Sequence, residues 1–176
     1  MKNIFLFALI VGTIAQGCSQ KNLPAKTNPV GSLDNTITTL YSVISGEKGQ
    51  ERDWDLFRSL FTPDAKLIPL YKSEEKGTNA MYLTPQDYID KSGNWLVENG
   101  FFEMEISRRI DMFGNMAHVF STYESYHSMK DSQPFMRGIN SIQMMNDGTR
   151  WWIVNIYWMQ ENPSNPIPEE YLPLKH

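Results

Sequence analysis

The sequence predicts an α+β domain: a curved antiparallel sheet, a cone-like α+β barrel, with about three N-terminal helices packed on its concave face. Two observations carry this. Residues 101–160 form one sustained strand signal rich in Ile, Val, Phe, Tyr, Trp and Thr, broken by turns at Gly114-Asn115, Lys130-Asp131-Ser132 and Asp147-Gly148. That composition suits a pleated, half-buried surface, and Asp-Gly is a strong hairpin signal. Ahead of it, apolar residues recur at helical spacing in separate segments. Helices gathered first and strands afterwards imply segregated layers.

The elements follow in order. Residues 1–17 read as an export signal: Lys2 gives the positive end, Ile4 to Ile14 the apolar run, and small residues flank a cleavage point at Ala15-Gln16-Gly17-Cys18. The only cysteine, Cys18, stands where a lipoprotein carries its lipid, although Ala15 and Gly17 also fit ordinary signal cleavage. The expected location is therefore periplasmic or membrane-anchored, alternatively secreted. Residues 18–31 are polar with Pro24 and Pro29 and read as a disordered tether. The domain itself is placed at 32–161.

A helix is expected from Ser32 to Ser45, with Ser32 as cap and Leu33, Ile37, Leu40, Tyr41 and Ile44 on one face. A short helix from Asp53 to Leu60 carries Trp54, Phe57, Leu60 and Phe61. Asp53 and Asp55 are read as helix-start residues. Ala65 to Tyr71 is a strand, with Pro69 marking an edge or bend, and Lys72 to Leu83 a polar loop. Thr84-Pro85-Gln86-Asp87 opens a third helix as an Asp variant of the capping box, and Gly100 closes it. Residues 162–176 hold four prolines and are expected to lie extended along the surface.

Strand alternation assigns faces. With Gly114-Asn115 as a two-residue turn, Phe113 pairs with Met116 and Ile110 with Val119. With Asp147-Gly148 as another, Asn146 pairs with Thr149 and Asn140 with Asn155. The inner face then collects Phe102, Met104, Ile106, Arg108, Ser121, Tyr123, His127, Arg137, Ser141, Gln143, Trp152, Val154, Ile156 and Trp158. The outer face collects Glu103, Glu105, His118, Phe120, Asn140 and Tyr157, with Phe120, Ile142, Ile153 and Tyr157 able to support a homodimer. A one-residue slip in the middle hairpin reverses its facing.

The phrase Asp53-Trp54-Asp55 … Leu60-Phe61-Thr62-Pro63-Asp64-Ala65 resembles the nuclear-transport-factor-2-like superfamily. So do Phe113 to Val119, Gly138 to Gln143, and Arg150-Trp151-Trp152-Ile153-Val154. The superfamily includes SnoaL-like cyclases, ketosteroid isomerases and scytalone dehydratases. The resemblance implies the cone fold, places Tyr41 near a family pocket tyrosine, and matches Trp158 to an aromatic pocket position. Its general-base position falls at Ile68 or Pro69 and its second oxyanion donor at about Ser141, none of them acidic, so the isomerase machinery lacks its proton shuttle. The dehydratases use pocket histidines, a role open to at most one of His118 and His127.

The ligand-binding candidates are Tyr41, Arg108, Ser121, Tyr123, Arg137, Ser141, Gln143, Trp152 and Trp158; the catalytic candidates are Tyr41, His127 and His118. Tyr41 is either a hydrogen-bond donor to a ligand or a core residue. His127 is either a general base or a solvated histidine at a hairpin end. His118 forms either an acid–base pair or a structural pair with Asp111. Arg108 and Arg137 either hold a ligand carboxylate or form internal salt bridges with Asp53, Asp55 or Asp64. The net charge of −4 argues against nucleic acid. Three scattered histidines and one cysteine make no metal set, and no cofactor motif is present. The leading reading is an exported protein that binds a small apolar or carboxylate-bearing organic molecule. The alternatives are a lyase or isomerase acting by general acid–base chemistry and a dimeric interaction module.

Overall fold

The computed structural model describes residues 28–73 and 77–174. The expected export signal, Cys18 and most of the tether lie outside the described residues. From residue 28 the chain is joined to the domain, since Trp151 N–H donates to Val30 O over 3.1 Å.

The elements are α1 (Leu33–Ile44), α2 (Trp54–Ser59), β1 (Phe61–Ser73), β2 (Gly77–Ala80), α3 (Pro85–Asn99), β3 (Phe102–Phe113), β4 (Met116–Tyr126), β5 (Met136–Asn146) and β6 (Trp151–Gln160). The strands form one open six-stranded sheet in the order β2-β1-β6-β5-β4-β3. Only β1 and β6 run parallel, so the sheet is mixed. The three helices cover its concave face, giving the expected α+β cone.

The helix starts follow local chemistry. Ser32 accepts from Asn35 N–H, Asp53 accepts from Leu56 N–H at 2.8 Å, and Thr84 with Asp87 forms the capping box. Each cap satisfies amides that no helical carbonyl reaches. Gly100 ends α3 with φ +69, and a Cβ there would lie 2.6 Å from His127 O. Ile37, Leu40, Tyr41, Phe57, Leu60 and Leu96 bury the helices against Val119, Tyr123, Ile142, Ile153 and Ile156 of the sheet.

Four sequence expectations need correction. β1 begins at Phe61 rather than Ala65, and the loop 72–83 contains strand β2, which pairs with β1 at Leu70↔Ala80 to Ser73↔Gly77. The β5–β6 turn spans four residues, so Asn146 pairs with Trp151 and Asn140 with Trp158. The middle hairpin pairs Ser121 with Asn140 and Val119 with Ile142. Asn140 and Ile142 therefore face inward, and Arg137, Ile139, Ser141 and Gln143 outward. The fourth correction lies in β3. Phe113↔Met116 and Ile110↔Val119 pair as expected, but the register shifts between Glu105 and Ser107. Ile106 is the extra residue of a β-bulge. Beyond it the alternation inverts, so Glu103 and Glu105 face inward, opposite Ser125 and Tyr123. Val154 plays the same part in β6, leaving Trp151 and Ile153 buried and Trp152 outside.

The Pro-rich tail crosses the convex face. Tyr171 packs on Phe120 with ring centroids 5.0 Å apart, Thr122 Oγ1 donates to Tyr171 O at 2.7 Å, and Ile167 is buried. Of the four apolar residues expected on the outer face, Ile142 and Ile153 are core, Phe120 is covered, and Tyr157 is exposed.

Arg52 binds the helical layer together. It is buried and donates to Ile44 O (2.9 Å), Gly46 O (2.8 Å) and Leu96 O (3.1 Å), and also to Gln50 O. These carbonyls come from the end of α1, the loop after it, and α3. Arg52→Met removes these four hydrogen bonds and is expected to lower the unfolding free energy by about 3 kcal/mol in urea titrations. Arg52→Lys should recover less than half of this, because an ammonium lacks the planar fork.

Candidate functional site

The bulge at Ile106 and the inward register of β5 bring a polar cluster against the base of α1. Asn140 Nδ2 donates to Tyr41 Oη at 3.1 Å and to Glu103 Oε1 at 3.3 Å. Tyr41 Oη and Ser121 Oγ are 2.6 Å apart, and Ser121 Oγ donates to Glu105 Oε1 at 2.5 Å. A hydroxyl has one proton. With the Ser121 proton on Glu105, the Tyr41 proton lies on Ser121. Arg108 closes the chain, with Nε 2.8 Å from Glu105 Oε2 and Nη1 2.7 Å from Asp34 Oδ1. Ser125 Oγ donates to Glu103 Oε2 at 3.2 Å.

Beside this cluster is a cavity of about 190 Å³. Its walls are largely aromatic: Phe57, Tyr88, Trp95, Phe101, Tyr123 and Trp158, joined by Leu40, Leu67, Met136 and Ile156. Phe57 stacks on Tyr88 at 5.5 Å, and Tyr88 meets Trp158 edge-on at 6.5 Å, forming one wall. Trp95 and Phe101 form another. Gly138 makes room for Tyr123, since a Cβ there would lie 2.6 Å from the Tyr123 hydroxyl and 2.5 Å from Met159 O. Ser92, Glu103 and Asn140 are the polar residues of the lining besides the tyrosine hydroxyls, and no Lys, Arg or His belongs to it.

Glu103 is the decisive group. It lines the cavity, and no cation pairs with it among the described residues. Burial pushes its carboxyl up to about 7, against the pull of its hydrogen bonds from Ser125 and Asn140. It is thus distributed between acid and carboxylate at neutral pH. Burial also raises Tyr41, Tyr88 and Tyr123, with the Glu103 charge adding to each, so all three stay protonated. Glu105, two residues along β3, is bound by Arg108 and Ser121.

The candidates read from the sequence separate. Tyr123 and Trp158 line the cavity, while Tyr41 and Ser121 stand behind it and reach it through Asn140. Arg108 has its inward station but is held by Glu105 and Asp34, not by Asp53, Asp55 or Asp64. Arg137 faces outward, bound to Glu161 at 2.8 Å with Glu124 at 3.8 Å. Ser141 and Gln143 share that outer face; Ser141 bonds His118 Nε2 at 2.9 Å, and Gln143 accepts from Asn155. His118 opposes Asp111 in the register but bonds Ser141. Trp152 lies outside, donating to Asp147 and stacked under Arg150. His127 is stacked on Phe135 at 4.1 Å and contacts Gly100 O at 3.3 Å. The inward facing expected of Arg137, Ser141, Gln143 and Trp152 is therefore corrected, by the register of the middle hairpin. The residues missed are Glu103 and Asn140. Only the β-bulge and the middle register expose them, and neither has a sequence signal.

No family model and no curated protein matches the chain. Solved structures do. An NTF-2-like protein of unknown function from Silicibacter pomeroyi aligns with TM-score 0.52 at 13% identity, over 73% of this chain and 92% of its own. The chain has the nuclear-transport-factor-2-like fold. A scytalone dehydratase candidate from Novosphingobium aromaticivorans aligns with TM-score 0.54 at 12% identity, covering 81% and 91%. A candidate calcium/calmodulin-dependent kinase II association domain from Xanthomonas campestris aligns with TM-score 0.53 at 12% identity, covering 74% and 86%. At these identities the likeness is one of fold.

The Glu103 carboxyl has a consequence for stability. In the native chain it holds its proton to about pH 7, whereas the unfolded carboxyl loses it near its usual 4.5. Between those values the native state binds more protons, so this residue lowers stability as pH rises. Glu103→Gln removes the effect. Its stability relative to wild type should rise from about pH 4 to pH 8 by on the order of 1–3 kcal/mol, measured by urea unfolding at each pH.

Proposed function

We propose that the cone interior binds one small, largely apolar organic molecule, with Glu103 as its polar contact. The observation that carries this reading is a carboxyl with no cationic partner set into an aromatic cavity. Carboxyls in such surroundings are rare outside functional sites, because burial disfavours the charged form. The cavity is smaller than the roughly 300–1,000 Å³ of drug-sized sites, so the ligand is small. The sequence expectation of a carboxylate-bearing ligand is not carried forward, since Arg108 and Arg137 are committed elsewhere and no cation lines the cavity. Export, with lipid anchoring at Cys18, belongs to the proposal on the residues of the N-terminal segment. Cys18→Ala is expected to move the protein from the membrane to the soluble fraction.

A thermal-shift screen of steroids, polyphenols, small amines and small acids tests the pocket. A ligand at about one hundred times its Kd should raise Tm by roughly 5–10 °C. Trp158→Ala should weaken any hit at least tenfold, while Tyr41→Phe should weaken it by less, because Tyr41 reaches the cavity only through Asn140. A hit indifferent to Trp158→Ala places binding elsewhere and ends this reading.

A second reading, general acid–base catalysis of the lyase or isomerase type, is favoured by the titration of Glu103 near neutrality. Glu103 would act as base. Turnover would then rise with pH through about 7 and disappear in Glu103→Gln, a loss that unchanged ligand affinity would separate from loss of binding. Self-association, the remaining expectation, is decided by sedimentation of the mature chain.

A further inference from the structure

The polar wall of the cavity has a direction. Both N–H groups of the Asn140 amide are engaged, one by Tyr41 and one by Glu103. Only its carbonyl oxygen remains for a ligand. The Tyr41 proton is held by Ser121, the Ser121 proton by Glu105, and the Ser125 hydroxyl donates to Glu103. What this wall offers is therefore acceptors: the Glu103 carboxylate and the Asn140 carbonyl. The other polar groups of the lining are hydroxyls of Ser92, Tyr88 and Tyr123, which either donate or accept. The groups facing Glu103 are Tyr41 from α1, Tyr88 from α3, Glu105 on its own strand, Tyr123 from β4, Asn140 from β5 and Trp158 from β6, with no positive charge among them.

An acceptor wall enclosed by aromatic faces has one complementary ligand chemistry. A compact ammonium donates hydrogen bonds, neutralises the carboxylate, and is attracted to the faces of Trp and Tyr rings. A carboxylate or an enolate meets the like charge of Glu103 and the Asn140 carbonyl, and finds only the neutral hydroxyls of Ser92, Tyr88 and Tyr123 to hold it. We infer that the ligand of this cavity is a small organic amine bound as its ammonium, with Glu103 as counter-ion and the aromatic walls around its apolar part. This deepens the proposed binding function and rests on it, but fails separately from it.

Benzylammonium, benzyl alcohol and benzoate are probes matched in size and differing in charge. Their affinities, measured by calorimetry at pH 8, should fall in the order benzylammonium, benzyl alcohol, benzoate, with at least tenfold between the first two. A cation lowers the Glu103 pKa, so benzylammonium binding should tighten about tenfold or more from pH 5.5 to pH 8 and release a proton at pH 6. Benzyl alcohol binding should be flat across this range. Glu103→Gln should abolish the preference and the pH dependence while retaining benzyl alcohol, and Trp158→Ala should weaken both. If benzyl alcohol or benzoate binds as well as benzylammonium and Trp158→Ala weakens it, the pocket stands and the ammonium assignment falls. Benzylammonium that shows no saturable binding, or the same binding in Glu103→Gln, overturns it too.

Discussion

The polar interior of the cone depends on one inserted residue, Ile106. Without it, the pairing set by the Gly114-Asn115 turn would continue along β3 and place Phe102, Met104 and Ile106 inside. Glu103 and Glu105 would then lie in solvent and the cavity would have no carboxyl. A bulge adds local twist to a strand and reverses its facing beyond the insertion. In this fold both effects are used at once, since the sheet must curve around the helices and the same irregularity turns two carboxylates toward them. Each buried carboxylate must then be accommodated. Glu105 is satisfied by Arg108 and Ser121; Glu103 receives only the neutral donors Ser125 and Asn140 and remains poised near neutrality.

Arg108 extends its influence further than its own ion pair. By fixing Glu105 as an acceptor it fixes the Ser121 proton, and through Ser121 the proton of Tyr41. Hydrogen bonds in a low-dielectric interior reinforce one another along such a chain. The direction of donation at the cavity wall is thereby set from the far side of the layer, by a guanidinium that also reaches Asp34 in the first turn of α1. The tyrosine that the family resemblance offers as a donor to a ligand is committed inward. Its role is to position Asn140, whose buried amide joins the cluster to the cavity.

Much of the fold was legible in the sequence, because its signals are local. Ser32, Asp53 and Thr84 announce the helix starts by capping chemistry, and Gly114-Asn115 fixes its hairpin register. The site was less legible, because it depends on counting across long strands. Asp147-Gly148 looks like a two-residue turn, yet the Asp147 side chain gathers the amides of Thr149 and Arg150 and widens the loop to four residues. The loop from His127 to Phe135 gives no register at all, and Asn140 and Ser141 exchange faces on a single-residue slip. Neither bulge has a glycine to mark it. Tyr41, Ser121, Tyr123 and Trp158 kept their expected facing, being anchored by the first helix, by the Gly114-Asn115 hairpin or, for Trp158, by two one-residue errors that cancel, the middle register and the Val154 bulge.

The acid inside this cone comes from a strand where the family resemblance does not look for one. At the resemblance's base position β1 has Ile68 and Pro69, beside Tyr157 and Trp158, and near its second donor position, about Ser141, β5 presents Asn140. Searching those stations for carboxylates gives the conclusion that the interior has none. The shell conserves the space enclosed by helices and curved sheet, but any inward position along its strands can carry the ionisable group. Which one does is set by register, and register here is altered by single residues. Chemistry in this fold is therefore a property of the occupied station and its hydrogen-bond donors, and has to be built from Glu103, Ser125 and Asn140 rather than transferred with the architecture.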